Sequence, residues 1–201
     1  LVGATPIVRV PWNEQGIIGK TLDAGAHGVI VPMVNTPAEA EAVVRSSRYV
    51  PDGARSWGPV MAGMRHPDNR QWADANIAVI PMIETAQAID NLDDILTVPG
   101  IDAIYVGPAD LAISLGLGPS GNEGTPVFDD ALATIVAACE RHDVIAGIHS
   151  NGSLSALRRS QGFKMVTVGM DSLAIQAGYD RELALARGEG GDAGSASGAL
   201  Y

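Results

Sequence analysis

Glu84 and Asp110 each stand at the end of an apolar run. The first run is Ile77-Ala78-Val79-Ile80-Pro81-Met82-Ile83-Glu84. The second is Ile101-Asp102-Ala103-Ile104-Tyr105-Val106-Gly107-Pro108-Ala109-Asp110. Near-continuous apolar runs mark strands buried on both faces, as in a parallel sheet. A carboxylate at the C-terminal tip of such a strand packs poorly, but it points into the mouth of a parallel barrel, where catalytic groups gather. Two of them on consecutive strands make a hard-oxygen site. It suits Mg2+ or Mn2+, with Co2+ as a third candidate, better than a structural zinc. Taken singly, each acid also reads as a helix cap or a solvated loop acid, and Asp110 is positioned to cap a short helix from Leu111.

Other residues could act beside this pair. Gly107-Pro108-Ala109-Asp110 leaves its strand in a sharp turn, and Gly107 lets the backbone approach a ligand closely. The amides of Ala109 and Asp110 would open the next helix, and such amides hold anions, here the carboxylate of a small substrate. Arg9 interrupts the apolar strand Ile7-Val8-Arg9-Val10. A buried guanidinium needs a partner, either a carboxylate in a structural ion pair or a carbonyl oxygen that it polarises. Asp23, near the end of the first helix, reads from its own context as a solvated acid. The histidines show no ligand spacing, although His149 ends a strand at the same rim. No lysine ends a strand, which weighs against Schiff-base chemistry, and no Gly-x-Gly-x-x-Gly follows one.

The elements that must position these groups alternate along the chain. Strands are expected over residues 6–10, 28–34, 77–83, 103–106, 145–148 and 165–168. Helices are expected over 16–24, 37–48, 86–96, 129–142, 154–161 and 172–187. Thr36-Pro37-Ala38-Glu39 joins an N-cap threonine, a first-turn proline and a glutamate placed for a capping box. Residues 49–76 are too long for a plain connector, and a short helix is expected near 71–75. Such alternation implies a parallel sheet with right-handed crossovers, and the expected fold is an α/β (β/α)8 TIM barrel. Six strands are two fewer than that barrel needs. The chain also starts inside the pattern, so the expectation is that residues 1–187 carry strands three to eight and that the first two βα units are absent from it. Residues 188–201, rich in Gly, Ser and Ala, are expected to form a flexible tail.

Composition excludes several classes. The 201 residues carry 23 acids against 13 bases, a formal charge of −10, with no basic stripe for nucleic acid. No apolar run reaches the roughly 18 residues that cross a bilayer, so no membrane partner is expected. Cys139 is the single cysteine, which excludes an internal disulfide and a cysteine-based zinc site. It falls on the apolar stripe of its helix and is expected in the core of a cytoplasmic protein.

Several strings together resemble the class II, metal-dependent pyruvate aldolases, the 4-hydroxy-2-oxoheptanedioate and 2-keto-3-deoxy-sugar-acid aldolase group. They are Val31-Pro32-Met33-Val34 with Thr36-Pro37-Ala38-Glu39-Ala40, Pro81-Met82-Ile83-Glu84-Thr85, Gly107-Pro108-Ala109-Asp110-Leu111 and Val168-Gly169-Met170-Asp171. The resemblance covers residues 6–187. It implies a barrel of the phosphoenolpyruvate/pyruvate-binding type, assembled as a hexamer (a trimer of dimers). It implies that Glu84 and Asp110 hold a divalent cation. A 2-oxo acid would chelate that cation, with its carboxylate on the Ala109 and Asp110 amides and Gly107 and Pro108 beside it. Arg9 would contact the keto or enolate oxygen, and Asp23 would support the catalytic histidine of the family. The implied reaction is reversible aldol cleavage of a 4-hydroxy-2-oxo acid to pyruvate and an aldehyde. Oxaloacetate decarboxylation and a non-catalytic barrel subunit are the alternatives. The chain departs from the pattern twice. The family histidine belongs to a strand end upstream of Arg9, and Met82 stands where some members have glutamine.

Overall fold

The computed structural model describes residues 3–189. Residues 190–201 of the expected tail lie outside them. Six strands run in chain order across one sheet, all parallel: β1 (Ile7–Arg9), β2 (Gly28–Val31), β3 (Ala78–Ile83), β4 (Ala103–Val106), β5 (Ile145–Ile148) and β6 (Met165–Val166). The sheet curls into a half-barrel. The helices are α1 (Gln15–Asp23), α2 (Pro37–Ser47), α3 (Val60–Arg65), α4 (Asn69–Asn76), α5 (Ala86–Asp90), α6 (Leu92–Leu96), α7 (Pro108–Ser114), α8 (Pro126–Arg141), α9 (Ser155–Ser160) and α10 (Asp171–Ala186).

The period of two along each strand builds two cores. Val29, Val31, Val79, Ile83, Ile104 and Val106 belong to a large cluster with residues of the helices, such as Ile18, Val43, Leu92, Phe128 and Ile135. The alternate residues Ile30, Ile80, Met82, Ala103 and Tyr105 form a smaller cluster on the other face. That second face is the concave side of the sheet. Gly147 makes room for it, since a Cβ there would sit 3.0 Å from the Tyr105 ring and 2.9 Å from the Ile104 carbonyl. Cys139 is buried in the larger cluster as expected, and burial pushes its thiol up to about 12.

Several expected elements come out shorter or divided. The strand expected over 28–34 stops at Val31, because Pro32 has no N–H and Met33 takes a left-handed φ of 57°. The helix expected over 86–96 is broken at Asn91, whose side chain donates to the Asn35 carbonyl at 2.8 Å instead of facing solvent. The segment 49–76 holds two helices, α3 and α4, where only the second is expected. The last strand ends at Val166. Asp110 does not cap α7: Gly107 occupies that position, and Asp110 lies inside the first turn.

Candidate functional site

Strand parity brings Glu84 to the concave face, since it continues the series Ala78, Ile80, Met82. Met82 pairs with Tyr105, so two residues further on Glu84 stands opposite Gly107. Val106 pairs with Ile148, which sets His149 beside Gly107 on the next strand. The site is therefore a row across three strand ends.

Glu84 is 1% exposed. Its Oε1 accepts a hydrogen bond from the Met33 amide at 2.7 Å. Its Oε2 is buried with no partner. A Cβ added at Gly107 would overlap Oε2 and lie 3.0 Å from the Met82 methyl, so only glycine leaves the carboxylate its place. Met33 donates from a conformation that costs a non-glycine residue about 1–3 kcal/mol. The chain thus spends strain to orient one oxygen of Glu84 and leaves the other open.

Burial pushes the Glu84 carboxyl above its ordinary value. The Met33 N–H opposes this, the Asp110 charge adds to it, and the Arg9 charge pulls it back down. Asp110 and Arg9 are thus close enough to act on Glu84. Both line a cleft of about 380 Å³ with Ile30, Met82, Tyr105, Gly107, Pro108, Ala109 and His149. An unpaired buried carboxylate oxygen is costly and calls for a proton or a cation. The donor set, the unpartnered oxygen of Glu84 beneath Gly107 and the Asp110 carboxylate on the cleft wall, fits a hard divalent ion whose other positions would be filled by water or substrate.

Arg9 is not buried, contrary to expectation: β1 is an edge strand, exposed along its whole length. Its pairing with Ile30 still turns its side chain to the concave face, where it lines the cleft. The structure does not bring Asp23 to this cleft. Helix α1 runs back along the sheet from the end of β1, and Asp23 closes it. There it accepts from Arg55 Nη2 at 2.6 Å and lines a separate cleft with Lys20, Arg55 and Ser56.

The model of the HpcH/HpaI aldolase/citrate lyase family matches residues 1–177. The chain belongs to that family. It is similar to a hydroxypyruvate/pyruvate aldolase of Rhizorhabdus wittichii, with 36% identity over 192 residues, 93% of this chain and 75% of the relative. It is similar to a 4-hydroxy-2-oxo-heptane-1,7-dioate aldolase of Klebsiella pneumoniae, with 35% identity over 87% of this chain and 67% of that one. Among solved structures, an HpcH/HpaI aldolase/citrate lyase family protein of Burkholderia cenocepacia superposes with a TM-score of 0.81 at 34% identity, covering 91% of this chain and 74% of the other.

Two contributors to the site of this HpcH/HpaI family member, Met33 and Tyr105, are not marked as site residues by its sequence. Met33 acts through its amide, and nothing in Val31-Pro32-Met33 marks the left-handed turn. Tyr105 walls the cleft and shares a hydrogen bond between its hydroxyl and that of Thr167. Its period-two position between Ala103 and Gly107 is the signal that was available. His149 lines the cleft as well, in keeping with its expected place at a strand end of the same rim.

Proposed function

We infer that this chain catalyses reversible aldol cleavage of a 4-hydroxy-2-oxo acid to pyruvate and an aldehyde. The observation that carries the reading is the open, buried Oε2 of Glu84 beneath Gly107. Two of its family relatives bear the names of aldolases for such substrates, and another is named a hydroxypyruvate/pyruvate aldolase. Glu84 and Asp110 hold a divalent cation, Mg2+ or Mn2+. When bound, the cation supplies positive charge at the 2-oxo oxygen of the substrate.

As the C3–C4 bond breaks, the C4 hydroxyl passes its proton to a water of the cleft, its oxygen becomes the aldehyde carbonyl, and the electron pair of the broken bond moves toward the 2-oxo oxygen. Arg9 adds its charge at that oxygen. The first amides of α7, at Ala109 and Asp110, receive the substrate carboxylate, with Gly107 and Pro108 forming the turn beside it. Ile30, Met82 and Tyr105 keep water from the reacting carbons. Return of that proton from water to C3 then completes pyruvate. This reading uses Glu84, Asp110 and Arg9, and leaves Asp23 to its ion pair with Arg55.

The wider architecture we propose is the closed eight-stranded barrel. The exposed edge β1 and the half-buried β6 offer pairing edges for two further strands. We also propose a homo-oligomer, since α10 buries none of its residues within the chain. Among the described residues no helix is long and apolar enough to cross a membrane.

The test is pyruvate release from a 4-hydroxy-2-oxo acid, followed through lactate dehydrogenase, with oxaloacetate as a parallel substrate. Turnover that depends on added Mg2+ or Mn2+ and disappears in Glu84→Gln is the expected result. Full turnover in EDTA, or activity on oxaloacetate alone, overturns the reading.

A further inference from the structure

A second cleft, of about 290 Å³, adjoins the first and shares Pro108 and His149 with it. Arg158 of α9 lines it from a fully buried position, and Ser150 lines it at 8% exposure. Arg158 donates from Nη2 to Glu123 Oε1 at 2.6 Å and from Nη1 to Gln161 Oε1 at 3.0 Å. Its Nε and the Oγ of Ser150 are buried without a partner. Buried polar groups are nearly always paired, so an unsatisfied N–H and an unsatisfied hydroxyl on one cleft point to a ligand or to ordered water there.

We propose that this cleft receives the tail of the aldehyde half of the substrate and selects a neutral, hydroxylated tail over one ending in a carboxylate. The inference rests on the aldolase reading above. The position of the cleft makes it the tail site: it shares the Pro108 and His149 walls of the reaction cleft, and His149 follows β5, four strands across the sheet from Arg9 on β1. Its charges set the preference. Arg158 is offset by Glu123, so no net positive charge remains to receive a carboxylate, and Glu123 stands ready to repel one. What remains unpaired in the cleft wall is one hydroxyl, which donates and accepts, and one N–H donor. Alcohol groups satisfy both. The volume equals about ten water-sized groups, enough for a tail of two or three hydroxylated carbons.

The experiment uses the metal-loaded protein, pyruvate, and acetaldehyde, D-glyceraldehyde or succinic semialdehyde, and reads kcat/KM for condensation. D-Glyceraldehyde is expected to exceed succinic semialdehyde by about tenfold or more, as a site built to hydrogen-bond a hydroxyl discriminates strongly. Glu123→Gln keeps the shape and an acceptor for Arg158 but removes the balancing charge. The ratio should then move about tenfold toward succinic semialdehyde. Ser150→Ala should lower D-glyceraldehyde relative to acetaldehyde, which has no tail to bind, by about tenfold. If Glu123→Gln does not fold, the Ser150→Ala ratio decides. A wild type that prefers succinic semialdehyde, or ratios that neither variant moves, overturns the tail site while the aldolase reading stands. No condensation with any of the three aldehydes overturns the aldolase reading, and the tail site with it.

Discussion

The centre of the sheet and its edges treat their side chains differently. Strands β3 and β4 are buried almost throughout, whereas β1 is exposed throughout and β6 half-buried. Glu84, on the central strand, is fixed by packing on every side: Met33 holds one oxygen and Gly107 makes space for the other. Arg9, on the edge, is fixed by register alone. The pair thus shows two ways of placing charge at the strand ends of one sheet. A central residue arrives preorganised, and its cost is met by the surrounding core. An edge residue arrives free to adjust, and it acts at range through the field it projects, which is how Arg9 bears on Glu84.

The largest expected break in this contrast is thermodynamic. Ile83 is fully buried in the helix-side core, so Ile83→Ala should cost about 2–5 kcal/mol. Val8 on β1 is 38% exposed, and Val8→Ala should cost less than about 1 kcal/mol. Urea unfolding of both variants checks this, and equal losses would mean that the edge is packed in solution.

Gly107→Ala separates the site from the core. The added methyl overlaps Oε2 of Glu84 and crowds Met82, so it must displace the carboxylate. Mn2+ affinity, followed by calorimetry or by the spin-resonance signal of the free ion, should fall by about a hundredfold. Gly118 carries no neighbour within 4 Å of such a methyl, so Gly118→Ala is the control and should leave affinity in place.

What the sequence discloses divides along the same line. The central strands are legible because burial on both faces writes a continuous apolar run. The parity that carries Glu84 to the concave face can be counted from Ala78, Ile80 and Met82. The edge is not legible in the same way. Ile7-Val8-Arg9-Val10 has the composition of a buried strand, yet its first three residues lie exposed and only Val10 is buried, because burial depends on neighbours that the strand's own residues do not specify. Backbone devices escape for a different reason. The left-handed turn at Met33 and the break at Asn91 are tertiary choices, fixed by Glu84 and by the Asn35 carbonyl. Local propensity does not register either. The capping box at Thr36 does appear in the sequence, because both of its partners lie within one turn.

A smaller effect tests whether the buried carboxylate behaves as its surroundings require. Glu84 is held above its ordinary value, chiefly by burial, so the folded metal-free protein keeps that proton more readily than the unfolded chain. Its contribution to stability is therefore complete below the ordinary glutamate range and is lost as pH rises through the raised value. Subtracting the pH dependence of Glu84→Gln from that of the wild type isolates this slope. Mn2+ binds only the ionised form, so adding it should reverse the sign and release protons on binding. A slope that Mn2+ leaves unchanged would place the cation elsewhere.

The smallest effect lies at the support of the Met33 turn. Glu39 Oε2 accepts from the amides of Asn35 and Thr36 at 2.7 and 3.0 Å, and Thr36 Oγ1 accepts from the Glu39 amide at 3.3 Å. Asn35 in turn bonds Thr85, the residue after Glu84. The cap of α2 therefore braces both chains that converge on the buried carboxylate. Thr36→Ala should cost about 1 kcal/mol of stability, the ordinary worth of a cap. If the brace also holds the Met33 amide toward Glu84, the same variant should weaken Mn2+ binding, by less than Gly107→Ala does. The control is Thr134→Ala: Thr134 Oγ1 donates only to the Asp130 carbonyl within α8, far from these chains, and should leave binding unmoved. Unequal responses of the two threonines would show that local helix capping reaches the site through the backbone.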